Sequence, residues 1–257
     1  MAVFELFKLD GKTAIVTGCS SGLGVIMAEA LCEAGARVVL VARRIERLRS
    51  VASSLESRGF TVKFFQCDVS REEEVVKTVA KIVDDVGRVD ILVNNAGVTI
   101  PSPTTEMKLE DWERVLNVNL TGVFLFCREV AKNMIKIGEG GKIINVSSVY
   151  GLIADDTPEL PYFVSKAGVL GLTRQLALEL APYKINVNAI APGFFPSEMT
   201  SPFISDLDSL SLTLSKIPLH RIGMPDDLKG VIIFLASRAS DYITGQVIVI
   251  DGGWSIW

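Results

Sequence analysis

Short apolar runs rich in Val, Ile and Leu alternate with longer stretches of helical period along almost the whole chain. The runs Thr13–Thr17, Arg37–Val41, Thr61–Gln66, Ile91–Val93, Lys142–Val146, Ile185–Ile190 and Gln246–Ile250 predict strands. Most are continuously apolar, as parallel strands covered on both faces are. Between them Leu23–Ala34, Glu46–Ser57, Glu72–Val86, Glu110–Ile137, Tyr162–Leu180 and Asp226–Ser237 predict helices. Gly35 marks the end of the first and Pro225 the start of the last. Strand–helix–strand units close right-handed, so this order predicts an α/β fold: a doubly wound, seven-stranded parallel sheet with helices on both faces. No low-complexity linker divides residues 1–257, which predicts one domain whose ligands sit at the carboxyl ends of the strands.

Charge and composition narrow the classes. Lys and Arg total 26 against 30 Asp and Glu, a formal charge of −4, with no basic block to follow a phosphate backbone, so nucleic acid is not an expected partner. Mean hydropathy is high at +0.37, yet no run approaches the roughly 20 uncharged residues that span a bilayer. The apolar surplus is expected in a core and in subunit interfaces, not in a membrane. The opening MAVFELFKLDGK has neither the basic start nor the unbroken apolar run of a signal peptide. Cys19, Cys32, Cys67 and Cys127 lie far apart without metal-ligand spacing, which predicts reduced thiols, a cytoplasmic protein and no metal site.

The first candidate chemistry follows the first strand, in Thr17-Gly18-Cys19-Ser20-Ser21-Gly22-Leu23-Gly24. A bare turn between a strand and a helix lets the backbone approach a pyrophosphate that faces the helix N-terminus. Gly18 would make the tight turn, Gly22 would admit the phosphates, Gly24 would let the helix pack closely, and Ser20, Ser21 and Leu23 complete the cradle. The Gly-x3-Gly-x-Gly spacing departs from the commonest dinucleotide fingerprint, and an ordinary strand-to-helix loop is the other reading. After the second strand, where an acid would take a ribose hydroxyl, stand Ala42-Arg43-Arg44. A guanidinium can grip a ribose phosphate bidentately, which favours NADP(H) over NAD(H) as cofactor; solvated helix-start arginines are the alternative.

Further marks come in order: Asp68-Val69, Asn94-Asn95-Ala96-Gly97, Asn119 within Asn117-Val118-Asn119-Leu120, Ser148 after Val146-Ser147, Tyr162-x3-Lys166, and Pro192-Gly193. Together with the glycine turn they make the chain resemble the single-domain short-chain dehydrogenase/reductases, over nearly its whole length, and imply their Rossmann fold and ketone–alcohol chemistry. Tyr162 and Lys166, four apart on one helix, share a face, so the ammonium is expected to lower the phenol pKa from about 10 towards neutrality. Tyr162 would then exchange the proton, and Ser148 would hold the substrate oxygen as charge develops on it. The resemblance implies that Asn119 helps hold a water linking the lysine to solvent. It also implies that Asp68 and Val69 flank the adenine, that Asn95, Ala96 and Gly97 line the ribose path, and that Pro192, Gly193, Phe195 and Ser197 meet the nicotinamide end. Asp68 could instead cap a strand end, and Asn94 ties strand ends together.

The segment from 192 to about 219 is expected to form a mobile substrate lid. Its Phe194 and Met199, with Tyr150 opposite, suggest an apolar substrate pocket, and Asp155, Asp156 and Glu159 add negative charge at its rim. A small neutral ketone, diketone or polyol is the expected substrate. The lid resembles gluconate 5-dehydrogenase-like and 3-oxoacyl-carrier-protein-reductase-like branches, which keeps a sugar acid or an acyl carrier as alternatives. A non-catalytic dinucleotide sensor is the rival class, although it would not need Ser148, Tyr162 and Lys166 together. His220, the sole histidine, reads as a surface residue. Trp254 and Trp257 near the end of the chain suggest burial against a neighbouring subunit, and the resemblance implies a homotetramer.

Overall fold

The computed structural model describes residues 2–256. Among them, β1 (Thr13–Thr17), β2 (Arg37–Ala42), β3 (Val62–Gln66), β4 (Ile91–Asn94), β5 (Gly141–Val146), β6 (Ile185–Pro192) and β7 (Val247–Ile250) form one parallel sheet in the order β3-β2-β1-β4-β5-β6-β7. β1 pairs with β2 on one side, Thr13 opposite Arg37, and with β4 on the other, Ala14 opposite Ile91. The chain reverses its direction of build between β1 and β4, and that is where a doubly wound sheet opens a crevice beyond its strand ends.

Alternating residues of each strand feed two cores. On one face Ala14, Val16, Val38 and Leu40 meet α1 (Leu23–Glu33), α2 (Ile45–Ser57) and α9 (Pro225–Ala236), through Met27, Leu31, Leu48, Leu55 and Ile232. On the other, Ile15, Val39, Leu92 and Ile143 meet α3 (Glu72–Val86), α5 (Gly122–Ile137) and α6 (Leu160–Leu180), through Ile82, Phe126, Met134 and Val169. α3 shows how local chemistry sets the ends. Glu72, Glu73 and Glu74 occupy its first turn, favourable to the helix dipole, and Gly87 ends it at φ 76°. Asn145, buried in β5, accepts from Asn94 Nδ2 at 2.9 Å and donates to Thr173 Oγ1 at 3.0 Å, so Asn94 does tie strand ends together and both buried amides are partnered.

Four expectations change. The helix expected over Glu110–Ile137 is α4 (Leu109–Leu116) and α5 joined by a single π turn, Asn117–Thr121, which carries Asn119. Such a widened turn preserves the apolar period on both sides, hence its invisibility in the pattern, and is common at functional sites. The segment expected to form the lid contains two helices, α7 (Ser201–Ser205) and α8 (Leu207–Ser215), the second capped by Asp206 accepting from Ser209 N at 2.9 Å. Ser148 does not end β5, which stops at Val146; it caps the short 3-10 turn Val149–Gly151. Trp254 is 7% exposed within its own chain, packed with Val149 and Ile217, so a neighbouring subunit is not needed to cover it. Trp257 lies outside the described residues.

Phe126, fully buried between α5 and the sheet, is the largest side chain in the second core. Phe126→Ala should cost about 3–5 kcal/mol, read as a lower denaturant midpoint with an unchanged slope.

Candidate active site

The glycine turn is built for close approach. Gly18 and Gly22 hold φ of 68° and 58°, in the left-handed region where a side chain is strained. A Cβ on Gly18 would fall 2.6 Å from the Ala96 Cα, and one on Gly24 would fall 2.5 Å from the Gly18 carbonyl oxygen. Asn95, just past the end of β4, fixes this arrangement: its Nδ2 donates to the carbonyls of Thr17 at 3.0 Å and Gly18 at 3.1 Å, and its backbone N–H donates to Thr17 Oγ1 at 3.0 Å. Asn95 thus holds the turn as well as bordering the cleft, a role its spacing did not reveal. The small polar run behind the strand next to β1 was the available signal.

Cys19 points away from the turn. Its thiol donates to the Val16 carbonyl and accepts from the Val41 N–H, both at 3.1 Å, and burial pushes its pKa up to about 12.

Arg43 and Arg44 diverge at the end of β2. Arg44 reaches back over the turn, with Nη2 donating to the hydroxyls of Ser20 and Ser21, both at 2.9 Å, and Nη1 to Glu198 of the lid at 2.9 Å. Arg43 stands 3.9 Å from the Asp68 carboxylate. Asp68 itself accepts from the backbone N–H and hydroxyl of Ser70, at 3.0 and 2.7 Å, so it caps the strand end.

At the opposite end of the cleft lie the groups with acid–base capacity. Lys166 is 4% exposed, and its ammonium donates to the Val146 carbonyl at 2.9 Å and lies 5.4 Å from the centroid of the Tyr162 ring. Burial pulls its pKa down to about 8. Burial also pushes the Tyr162 phenol up to about 12, opposed by its hydrogen bond with Ser148. The expected lowering by the lysine is therefore reversed in this arrangement, because the ammonium lies over the ring face while the surroundings withhold water from the hydroxyl.

The two serines are distinguished by their partners: Ser147 donates to the Lys166 carbonyl at 2.8 Å, anchoring α6 to β5, and Ser148 accepts from the Tyr150 N–H at 3.2 Å while facing Tyr162. Asn119 is fully buried. Its Nδ2 donates to the Val98 carbonyl at 2.9 Å and to Ser165 Oγ at 3.1 Å, and its Oδ1 accepts from the Val98 N–H at 2.8 Å. Both of its side-chain protons are committed to holding chain.

One cleft of about 530 Å³ joins these ends. It is lined by Gly18, Ser20, Ser21, Gly22, Leu23, Arg43, Arg44, Val69, Asn95, Ala96, Gly97, Ser148, Tyr162, Lys166, Pro192, Gly193, Phe195, Ser197 and Met199. Gly24, Asp68, Asn119, Tyr150 and Phe194 stand behind this lining. Phe195 is 3% exposed, its ring packed on Gly223, where a Cβ would come within 2.4 Å. Tyr150 stacks on Phe163 at 4.4 Å and meets Trp254 and Tyr162 edge-on. Lys216 pairs with Asp155 at 2.8 Å and Asp156 at 3.3 Å, so one cation offsets part of the negative charge at the rim, and Glu159 is held by the Thr99 hydroxyl instead, at 2.8 Å. His220 is exposed at φ 48° beyond α8. The described residues contain no group of His, Cys, Asp and Glu able to hold a metal, and no helix among them is long and apolar enough to cross a membrane.

A bare turn over a helix N-terminus, with guanidinium groups at one end of a cleft and a lysine-backed phenol at the other, fits an extended dinucleotide. The family model described as enoyl-(acyl carrier protein) reductase matches residues 18–255. The 2-dehydro-3-deoxy-D-gluconate 5-dehydrogenase of Dickeya dadantii is 41% identical over 98% of both chains, and the 3-oxoacyl-(acyl-carrier-protein) reductase of Thermotoga maritima is 42% identical over 96% of this chain and 98% of its own. The crystal structure of a gluconate 5-dehydrogenase from Burkholderia cenocepacia, in complex with NADP and tartrate, superposes with a TM-score of 0.95 at 36% identity, covering 99% of each chain. The chain belongs to the short-chain dehydrogenase/reductase family. It is an oxidoreductase acting on alcohol and ketone groups.

Burial of Cys19 gives a direct check on the glycine turn. In the folded protein at pH 8, iodoacetamide should leave Cys19 unlabelled by peptide mass analysis, and rapid labelling would contradict the packing described.

Proposed function

We propose that this enzyme is NADP(H)-dependent and interconverts a ketone and a secondary alcohol, with Tyr162 as acid and base. The observation that carries the reading is the convergence of Ser148, Tyr162 and Lys166 on one wall of the cleft that the glycine turn opens. When bound, the nicotinamide supplies or accepts the hydride. Gly18 to Gly24 would carry the pyrophosphate at the N-terminus of α1, and Arg43 and Arg44 would take a phosphate on the adenosine ribose. The Burkholderia cenocepacia gluconate 5-dehydrogenase, solved in complex with NADP and tartrate, supports a nicotinamide dinucleotide in this cleft, and the two arginines support the phosphorylated form.

Tyr162, with its pKa near 12, is protonated at neutral pH, the form that donates to a carbonyl oxygen. Ser148 holds the same oxygen as charge develops on it. The Lys166 ammonium stabilises the phenolate left behind, and loses that ability as pH rises through about 8. Asn119 positions the cleft floor through Val98.

The catalytic end is lined by Val98, Thr99, Ser148 and Met199 and, among the described residues, its lining has no cation besides Lys166, which supports a neutral ketone, diketone or polyol. A sugar acid is the second reading. It is favoured by Lys216 beside Asp155, which could turn to a carboxylate, and by the similarity to the gluconate dehydrogenases named above. Exposed Phe124 on α5, Leu178 on α6 and Val249 on the edge strand β7 supply apolar surface for a homotetramer. Four free, buried cysteines suit a cytoplasmic protein.

Tyr162→Phe should lower turnover by about 10²–10⁴-fold while NADPH binding, followed by fluorescence, is retained. The substrate is sought with a panel of uncharged ketones, polyols and hexonic acids. Near-normal turnover of Tyr162→Phe on any active member would remove Tyr162 from the chemistry.

A further inference from the structure

Glu198 stands on the lid, 154 residues from Arg44, yet its Oε2 accepts from Arg44 Nη1 at 2.9 Å and its Oε1 accepts from Arg47 Nη1. The turn that carries it is stiff. Thr200 Oγ1 donates to the Phe195 carbonyl at 2.6 Å, Ser197 N–H donates to Thr200 Oγ1 at 2.9 Å, and Thr200 N–H donates to Ser197 Oγ at 3.2 Å. The turn also lies directly on the phosphate cradle, for a Cβ on Gly22 would come within 3.2 Å of the Ser197 Cβ. Arg44 is thereby engaged on three sides, by Ser20, Ser21 and Glu198. The guanidinium best placed to receive a ribose phosphate already holds a carboxylate, while Arg43 has only a loose neighbour in Asp68 at 3.9 Å.

We propose that Glu198 is a specificity-determining residue that competes with the adenosine-ribose phosphate of the cofactor for Arg44, so that this phosphate, in taking the guanidinium, releases the lid. The inference rests on the NADP(H) reading above. Two anions cannot both keep short contacts with one guanidinium edge without repelling each other. A phosphate carries more charge than a carboxylate and three acceptor oxygens, so the exchange favours the phosphate. A cofactor without it leaves the Arg44–Glu198–Arg47 clasp intact. Nucleotide choice and lid position are then two readings of the same ion pair.

Removing the competitor strengthens binding of the phosphorylated cofactor and leaves the other unchanged. The test is equilibrium titration of wild type and Glu198→Gln with NADPH and with NADH, by quenching of tryptophan fluorescence, after confirming equal thermal midpoints. The NADPH dissociation constant should fall about threefold to fivefold in Glu198→Gln, the size expected of a half-exposed ion pair, with that for NADH changed less than about twofold. An unchanged or weaker NADPH affinity, or equal tightening for both cofactors, would overturn the proposal. A wild type that does not prefer NADPH would refute the NADP(H) reading and the clasp with it, whereas a preference that Glu198→Gln leaves untouched refutes the clasp alone.

Discussion

A lysine ammonium buried without a carboxylate partner is the constraint around which the cleft is organised. Burying an unpaired charge is costly, and a protein retains it only where the surroundings hold it and a function uses it. Lys166 is held by the Val146 carbonyl at the end of β5, and the helix that carries it is pinned there through the Ser147 hydroxyl and the Lys166 carbonyl. Gly151 closes behind, where a Cβ would come within 2.7 Å of Ser147 Oγ. The same anchoring aims Tyr162 and Ser148 into the cleft, so the proposed acid–base group and oxygen holder are positioned by one joint between strand and helix.

The remaining architecture brings a second set of charges to the cleft. β6 delivers the lid, and the lid is fastened at both ends by ion pairs: Glu198 to Arg44 and Arg47 at the cofactor end, Lys216 to Asp155 at the substrate end. The Glu198 pairs are about half exposed, and pairs of that kind contribute about 0–1 kcal/mol each, small enough to exchange for a ligand's own charge, whereas the Asp155 carboxylate is nearly buried. A lid held by weak, replaceable contacts can respond to what is bound, while the glycine turn beneath it, locked by Asn95 and Thr17, stays fixed.

Much of this was legible in the residues. The strands were plain because uninterrupted apolar runs such as Thr13–Thr17 and Arg37–Val41 have no other economical reading, and the strand–helix alternation settled the layers. Tyr162 and Lys166 were placed together by their spacing alone. Their electrostatics were not, because spacing reports a shared face and says nothing of how much water reaches it. The π turn at Asn117–Thr121 was hidden by the helical period on either side of it. Contacts across long separations, such as Asn95 with the glycine turn and Glu198 with Arg44, depend on the sheet's switch point and on the path of the lid, which no local pattern encodes.

The central claim is that the buried Lys166 ammonium assists proton transfer at Tyr162, and the pH profile of kcat/KM for carbonyl reduction in wild type and Lys166→Arg tests it most directly. The wild-type profile should fall as pH rises through about 8, where the Lys166 ammonium is lost. In the arginine variant, whose charge persists, any residual activity should lack that limb. A limb at the same pH in both proteins, or a flat wild-type profile, would contradict the account.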